Sequence, residues 1–150
     1  MRQILAVVVS FVAMSMLVFG FSIAPWFLLG LDAVMLPGRF VTVGAYDVYA
    51  VLVSVGGALL AGWLCAAIGR SRAAVLTLAF VALAAGLMNA VAQRRKPEPP
   101  ARVANVAVPS AMAQRRESAW FTLLVPFSGA VAIVIGGRRA ATTRTPGVVD

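Results

Sequence analysis

The sequence has no histidine and a single cysteine, and each shortage excludes whole classes of chemistry. Without histidine there is no His-ligated haem, no usual histidine-containing zinc site and no histidine general base. A lone Cys65 excludes an internal disulfide, and its apolar neighbours predict a packing role for the thiol. The serines have no histidine or partnered lysine to activate them, so we expect no enzymatic activity and no cofactor.

Charged residues are also scarce, at 12% of the chain against about 25% in ordinary soluble domains, whereas hydrophobic residues make up 61%. The 13 basic and 5 acidic residues give a net charge of +8. The basic residues flank apolar runs and do not alternate with aromatic residues, so the stacking platforms of a nucleic-acid binder are missing and no nucleic-acid partner is expected. Positive charge beside apolar runs instead predicts contact with anionic lipid head groups.

Four apolar runs dominate the chain, at 4–24, 46–68, 73–92 and 119–137. At 1.5 Å per residue, about 20 helical residues match a hydrocarbon core about 30 Å thick. Backbone polar groups in lipid must be satisfied within the segment, so the runs are predicted to be helices. The predicted fold is all-α, a polytopic membrane protein with four transmembrane helices in an antiparallel bundle over residues 1–137.

The first run is predicted to be an uncleaved membrane helix. Its apolar stretch exceeds the roughly 7–15 residues of a signal-peptide core, and Pro25 directly follows the nearest small residues. Pro25 and Trp26 are predicted to end the helix at the membrane interface. The apolar stretch 27–36 is too short to cross and stops at Pro37, which predicts an interfacial or re-entrant segment.

Small residues recur every four positions in the last three runs and predict close helix packing. They are Ser54, Ala58, Gly62 and Ala66, beside Gly57, Ala61 and Cys65, in the second run; Ala82, Gly86 and Ala90 in the third; and Ser128, Ala132 and Gly136 in the fourth. Residues four apart share one helix face, and small side chains let another helix approach closely in lipid. The pattern fits packing within one bundle or a homodimer, and we favour the former.

Two further residues stand out inside the spans. Asn89 near the end of the third run predicts a hydrogen bond across helices as part of helix packing, with a substrate contact as the alternative. Pro126 in the fourth run frees a backbone carbonyl about one turn earlier, near Thr122, and predicts a kink.

Acidic residues are missing from the middle of every run, where an ionisable side chain would indicate a transport or relay site. The run 4–24 has none, which argues against a proton-coupled exporter of the small multidrug resistance type. Asp32 and Asp47 share the first loop with Arg39. A local salt bridge or a solvated loop is expected there, with an ion or substrate site as the alternative.

The connections between the later runs differ in length. The turn 69–72 is short enough to allow only a helical hairpin. The loop 94–117 contains four prolines, which preclude a regular helix through it, and is predicted to be an extended basic segment at the membrane surface. Its predicted contacts to lipid or a partner are Arg94, Arg95, Lys96, Arg115 and Arg116. The tail 138–150 is predicted to be disordered.

Basic residues leave the orientation nearly balanced. Four spans place both termini on one side, with Arg2, Arg70, Arg72, Arg138, Arg139 and Arg144, and leave Arg39 and the basic residues of the long loop on the other. The basic hairpin and chain ends favour termini inside, whereas the long loop favours the reverse. We predict both termini inside.

The sequence GALLAGWLCAAIGR at 57–70, after a Met-Arg-x-Ile-Leu-Ala-Val start, resembles a loose group of small, uncharacterised bacterial four-span membrane proteins. The stretch 85–89 (AGLMN) and the closing 136–138 (GGR) are similar to that group, and the likeness covers about two thirds of the chain. The long basic loop departs from the shorter, more apolar link expected there. The resemblance implies the fold and the topology, and it implies no activity.

Two hypotheses of function follow from these features. The first is a non-catalytic small membrane protein that acts through helix packing and lipid or partner contacts, as an accessory subunit of a membrane complex. The second is a small transporter or channel that works as a homo-oligomer, with Asn89 and Ser128 facing a shared path. The expected location is the bacterial inner membrane, with which the low cysteine content is compatible.

Overall fold

The computed structural model describes residues 1–97 and 106–142, and all regular secondary structure within them is helical. The helices are α1 (Arg2–Leu28), α2 (Leu31–Val34), α3 (Gly44–Gly69), α4 (Arg72–Arg95), α5 (Val108–Gln114) and α6 (Ala119–Thr142). In this part of the chain, 4 helices are long and apolar enough to cross a membrane: α1, α3, α4 and α6. The predicted all-α fold with four membrane-spanning helices is confirmed.

The helices pack around one close crossing, between α3 and α6. Helix α3 packs mainly against α1 and α6, and α4 packs mainly against α6. At the crossing of α3 and α6, a Cβ added to Gly62 would lie 2.0 Å from the carbonyl oxygen of Ile133. Reciprocally, a Cβ added to Gly136 would lie 2.1 Å from the carbonyl oxygen of Leu59. The two backbones therefore touch, which is possible only because neither glycine carries a side chain.

The two ends of the bundle differ in charge. One end, here called the terminal face, holds the start of α1, the turn between α3 and α4, and the end of α6; Arg2 Nε there donates to the carbonyl oxygen of Ile68 at 3.0 Å. Its charged residues among those described are Arg2, Arg70, Arg72, Arg138 and Arg139. The opposite end, the loop face, carries acidic as well as basic residues, including Asp32, Asp47 and Glu117.

The α3–α4 turn is the tight hairpin that the sequence predicts. Arg70 adopts the left-handed conformation (φ 50°) that ends α3, and its N–H donates to the carbonyl oxygen of Ala66. The side chain of Ser71 then caps α4 by accepting a hydrogen bond from the N–H of Ala73 at 3.2 Å.

Helix α1 does not end at Pro25, in contrast to the prediction. It continues to Leu28, because the carbonyl oxygen of Phe21, which loses its helical partner at Pro25, accepts a hydrogen bond from the Tyr49 hydroxyl at 3.0 Å. A tertiary donor thus replaces the missing N–H, as the low-dielectric surroundings of a membrane helix require. The chain turns only after Leu28, at Gly30, whose φ is +81°.

This replacement predicts an energetic coupling between Tyr49 and Pro25. Tyr49→Phe should lower the free energy of unfolding by about 1 kcal/mol in the wild-type background. In a Pro25→Ala background the restored N–H reaches Phe21, so the same change should have a smaller effect. A double-mutant cycle of thermal unfolding in detergent measures the difference; equal effects in both backgrounds would contradict the assignment.

The long loop is more ordered at both ends than predicted. Helix α4 extends to Arg95, and Val108–Gln114 forms α5, with Pro109 in its first turn, where its missing N–H costs no hydrogen bond. Residues 98–105, the middle of the loop, lie outside the described residues. The predicted disordered tail also differs in part, since α6 continues to Thr142; residues 143–150 lie outside the described residues.

Candidate functional site

Two chain segments cover the loop face, and together they are called the cap: residues 29–43, which include α2, and residues 106–118, which include α5. Within the first segment, the N–H of Leu36 donates to Val41 O and the N–H of Val43 donates to Val34 O, each at 2.9 Å. The second segment joins through the N–H of Arg116, which donates to Phe40 O at 2.7 Å. The two loops, distant in sequence, are therefore one structural unit.

A small apolar core lies beneath the cap, separate from the core of the bundle. It brings together the buried side chains of Trp26, Val34, Met35, Phe40, Tyr46, Ala50, Ala111 and Phe121. These residues come from both segments of the cap and from α1, α3 and α6. The apolar 27–36 stretch thus buries Val34 and Met35 inward, as part of a packed cap at the end of the bundle.

Asp47 ties the cap to the bundle. Its side chain is only 1% exposed, in the first turn of α3. The Thr42 hydroxyl donates to one carboxylate oxygen at 2.6 Å, and the Ser118 hydroxyl donates to the other. Among the described residues no cation pairs with Asp47, and Arg39 is exposed. The expected salt bridge or solvated loop is therefore wrong for Asp47, which is a buried carboxylate held by two hydroxyls.

Tyr46 forms a second polar centre next to Asp47. Its hydroxyl donates to Ser22 O at 3.0 Å and accepts from Trp26 Nε1 at 3.0 Å and from Arg115 Nη1 at 3.4 Å. The Trp26 and Tyr46 rings also meet edge to face, with centroids 5.9 Å apart. One phenol thus joins the end of α1, the start of α3 and the second segment of the cap.

Arg115, which contacts Tyr46, also forms an ion pair with Glu117. Arg115 Nη2 and Glu117 Oε1 are 2.9 Å apart, and their side chains are 28% and 9% exposed. Burial raises the pKa of Glu117 above its ordinary value, the neighbouring Arg115 opposes this rise, and the charge of Asp47 adds to it. The net direction shows that burial outweighs the attraction of Arg115.

The raised pKa of Glu117 predicts a pH dependence of stability. The folded state binds this proton more tightly than the unfolded state, in which the pKa is about 4.3. The free energy of unfolding should therefore fall as the pH rises from that value through the raised pKa. Glu117→Gln should remove this contribution to the pH dependence of the free energy of unfolding. Thermal midpoints in detergent from about pH 4 to about pH 8 test it, and identical slopes in both proteins would contradict it.

A cavity of about 160 Å³ lies between the four long helices, just beneath the Arg115–Glu117 pair. Its polar lining comprises Ser22, Tyr46, Ser54, Asn89, Arg115, Glu117 and Thr122. Hydroxyls, an amide and an ion pair can hold water or a small polar molecule. Within residues 1–97 and 106–142, no group of three or more potential metal ligands occurs.

The predicted helix-packing residues occupy several environments. Ala58, Gly62 and Ala90 are buried, Ala66 and Ala82 are partly buried, Ser54 lines the cavity, and Gly86 lies against Pro126, whose Cγ would be 2.8 Å from an added Cβ. Asn89 differs from the expectation of a buried interhelical hydrogen bond. Its side chain is exposed at the edge of the cavity, and its amide forms no hydrogen bond within the described part of the chain.

The predicted lipid or partner contacts divide into two groups. Arg94, Arg95 and Lys96 are exposed at the end of α4. Arg115 instead points inward to Tyr46 and Glu117. Arg116 Nη2 donates to Lys96 O at 3.3 Å, which fastens the second segment of the cap to the end of α4.

Sequence reasoning missed Tyr46, Glu117 and Ser118 as parts of one site. The only local signal was Asp47, a carboxylate at the start of an apolar run. Its partner Ser118 lies 71 residues away, and nothing in the spacing indicates that contact.

Comparison of the chain with protein families, with curated proteins and with solved structures finds no match.

Proposed function

We propose that the protein is a non-catalytic integral membrane protein that acts through helix packing and lipid or partner contacts, as an accessory subunit of a larger membrane complex. The observation that carries this proposal is the contrast between a tightly packed α3–α6 crossing and an extensive apolar exterior. The interior is closed where α3 and α6 touch at Gly62 and Gly136. The exterior remains available for other helices or for lipid.

Helix α1 shows this contrast most clearly. Only Ala6, Ser10 and Trp26 are buried along its 27 residues. Many of its large hydrophobic side chains are exposed instead, among them Ile4 at 70%, Met16 at 73% and Phe19 at 67%. In a membrane such a face meets acyl chains or the helices of another protein.

We further propose that the membrane is a bacterial inner membrane and that both termini are inside. The terminal face has arginines and, among the described residues, no acidic side chain. On the loop face Arg115 is paired with Glu117, and Arg116 is bonded to the backbone of Lys96. The exposed positive charge is therefore less balanced by acids at the terminal face, in keeping with a cytoplasmic position.

Extraction of the native protein in a mild detergent tests the accessory role. Size analysis and mass spectrometry should find it with a larger partner in a fixed ratio. Phe19→Ala should weaken this association, whereas Phe11→Ala, at a position packed against the bundle core, serves as the control for general destabilisation. Migration alone, as a monomer or a dimer, would contradict the proposal.

The second candidate, a small transporter or channel acting as a homo-oligomer, is favoured by the cavity and by the exposed amide of Asn89 at its edge. Flux measurements in liposomes separate the two. Saturable, ion-dependent flux that is reduced by Asn89→Leu, but not by Met88→Leu at the exposed neighbouring position, would establish the transporter and overturn the accessory role.

A further inference from the structure

The lipid-facing surface between α4 and α6 contains an apolar groove of about 500 Å³ near the terminal face. Phe80 and Leu83 line it on α4, and Ala130, Val134 and Arg138 line it on α6. From Ala130 to Arg138 the groove follows about 12 Å of helix. It is thus an elongated apolar groove in the half of the bundle that lies next to the arginine-rich terminal face.

Arg138 is the charged residue of this groove and stands at its polar end. Its side chain is exposed, and within residues 1–97 and 106–142 no carboxylate or backbone oxygen partners its guanidinium. The same face carries Arg72 and Arg139 and, in the described chain, no acidic residue. An exposed cation at the head of an apolar groove matches a ligand with one anionic end and one long apolar end.

We propose that the α4–α6 groove binds an anionic phospholipid, with one acyl chain along Phe80, Leu83 and Val134 and the phosphate at Arg138. Arginine pairs with phosphate through a planar fork of donors, and the low-dielectric edge of the membrane strengthens the contact. Basic pockets between membrane helices on one side of the bilayer recognise anionic head groups in this way.

A second copy of the chain is a poorer occupant of the groove. Two copies with the same membrane orientation would bring their terminal faces to the same level, and so would place arginine beside arginine. Repulsion between these neighbouring positive charges opposes association of the two copies. An anionic lipid instead neutralises Arg138.

The site differs from the lipid contacts predicted by sequence at Arg94, Arg95 and Lys96, which lie at the opposite end of α4. It does not rest on the accessory role. An autonomous transporter would carry the same groove, so failure of one proposal leaves the other standing.

The test counts lipids retained by the purified protein. The full chain is placed in nanodiscs of phosphatidylglycerol and phosphatidylcholine, released into detergent and weighed intact by native mass spectrometry. Wild type should retain one phosphatidylglycerol in preference to phosphatidylcholine. Arg138→Gln should weaken this retention about fivefold. Arg39→Gln, at an exposed arginine of the loop face, makes the same change of net charge and should leave the retention unchanged.

A second variant separates the groove from the charge. Ala130→Leu narrows the groove at a partly buried position and leaves every charge in place, so it should also release the lipid. Equal loss in Arg138→Gln and Arg39→Gln would show diffuse charge attraction and overturn the site. Full retention in both Arg138→Gln and Ala130→Leu, or no preference for phosphatidylglycerol in wild type, would overturn it as well.

Discussion

Gly62→Ala should destabilise the bundle by about 3 kcal/mol or more, although it adds a single methyl group. The new Cβ would meet the carbonyl oxygen of Ile133 at 2.0 Å, far inside van der Waals contact. That oxygen belongs to the backbone of α6, so no side-chain rotation relieves the clash. Helices α3 and α6 must move apart, and every contact along their crossing weakens.

Gly56→Ala is the matched control, because it makes the same change on the same helix. A Cβ at Gly56 meets nothing within 4 Å. Alanine is also the better helix former, by about 0.5–1 kcal/mol, so this variant should be neutral or slightly stabilising. The two substitutions should therefore differ clearly in their effect on stability, and intrinsic helix propensity cannot account for the difference.

Gly136→Ala tests the same crossing from the other helix, since its Cβ would meet Leu59 O at 2.1 Å. Once α3 and α6 have separated, the second methyl group meets a wider gap. The double variant should therefore lose less stability than the sum of the two single changes. Thermal unfolding in one detergent compares the wild type with all four variants; equal stability of Gly62→Ala and Gly56→Ala would contradict the backbone contact.

Asp47→Ala should release the cap and lower the free energy of unfolding by about 3 kcal/mol. The substitution leaves the Thr42 hydroxyl, which is buried, and the Ser118 hydroxyl without their acceptor. Hydrogen bonds to a charged group are each worth about 1.5–3 kcal/mol, and the unpaired hydroxyls add their own cost. Asp47→Asn keeps the shape and one oxygen acceptor, so it should lose less.

Trypsin provides a local readout of the Asp47 prediction. Arg115 and Arg116 are held in the cap by Tyr46, Glu117 and the backbone, and cleavage after them should be slow in wild type. Asp47→Ala should accelerate it strongly. Cleavage after Arg70, which is exposed in the α3–α4 turn at the terminal face, should change little and serves as the internal control. Unchanged cleavage after both cap arginines would contradict a structural role for Asp47.

The sequence was sufficient for the bundle and for its tight hairpin. A run of about 20 apolar residues in lipid must form a helix to satisfy its backbone polar groups, and a link as short as 69–72 allows only antiparallel neighbouring helices. The four-residue spacing also drew attention to Gly62 and Gly136, which lie at the crossing of α3 and α6. Both features depend on local patterns, which a single sequence carries directly.

The end of α1 and the structure of the cap could not be predicted from local sequence patterns. Pro25 ends a helix on local grounds, and α1 passes through it because Tyr49, 28 residues after Phe21, supplies a hydrogen bond. In the sequence Asp47 resembles an acidic loop residue, and only the folded structure shows that Ser118, from another part of the chain, donates to its carboxylate. Arg115 likewise resembles a lipid contact, and only its position beside Glu117 directs it inward. Each of these depends on a tertiary neighbour that no sequence spacing specifies.

The central claim is that the chain is a four-span bundle with an arginine-rich terminal face and a capped loop face on opposite sides of the membrane. The variants Ser71→Cys and Ser110→Cys, each in a Cys65→Ala background, test this claim. Each is labelled with a membrane-impermeant thiol reagent in intact and in permeabilised cells. We predict that Ser110→Cys reacts from outside and that Ser71→Cys reacts only after the cells are permeabilised. Reaction of both positions from the same side would contradict it.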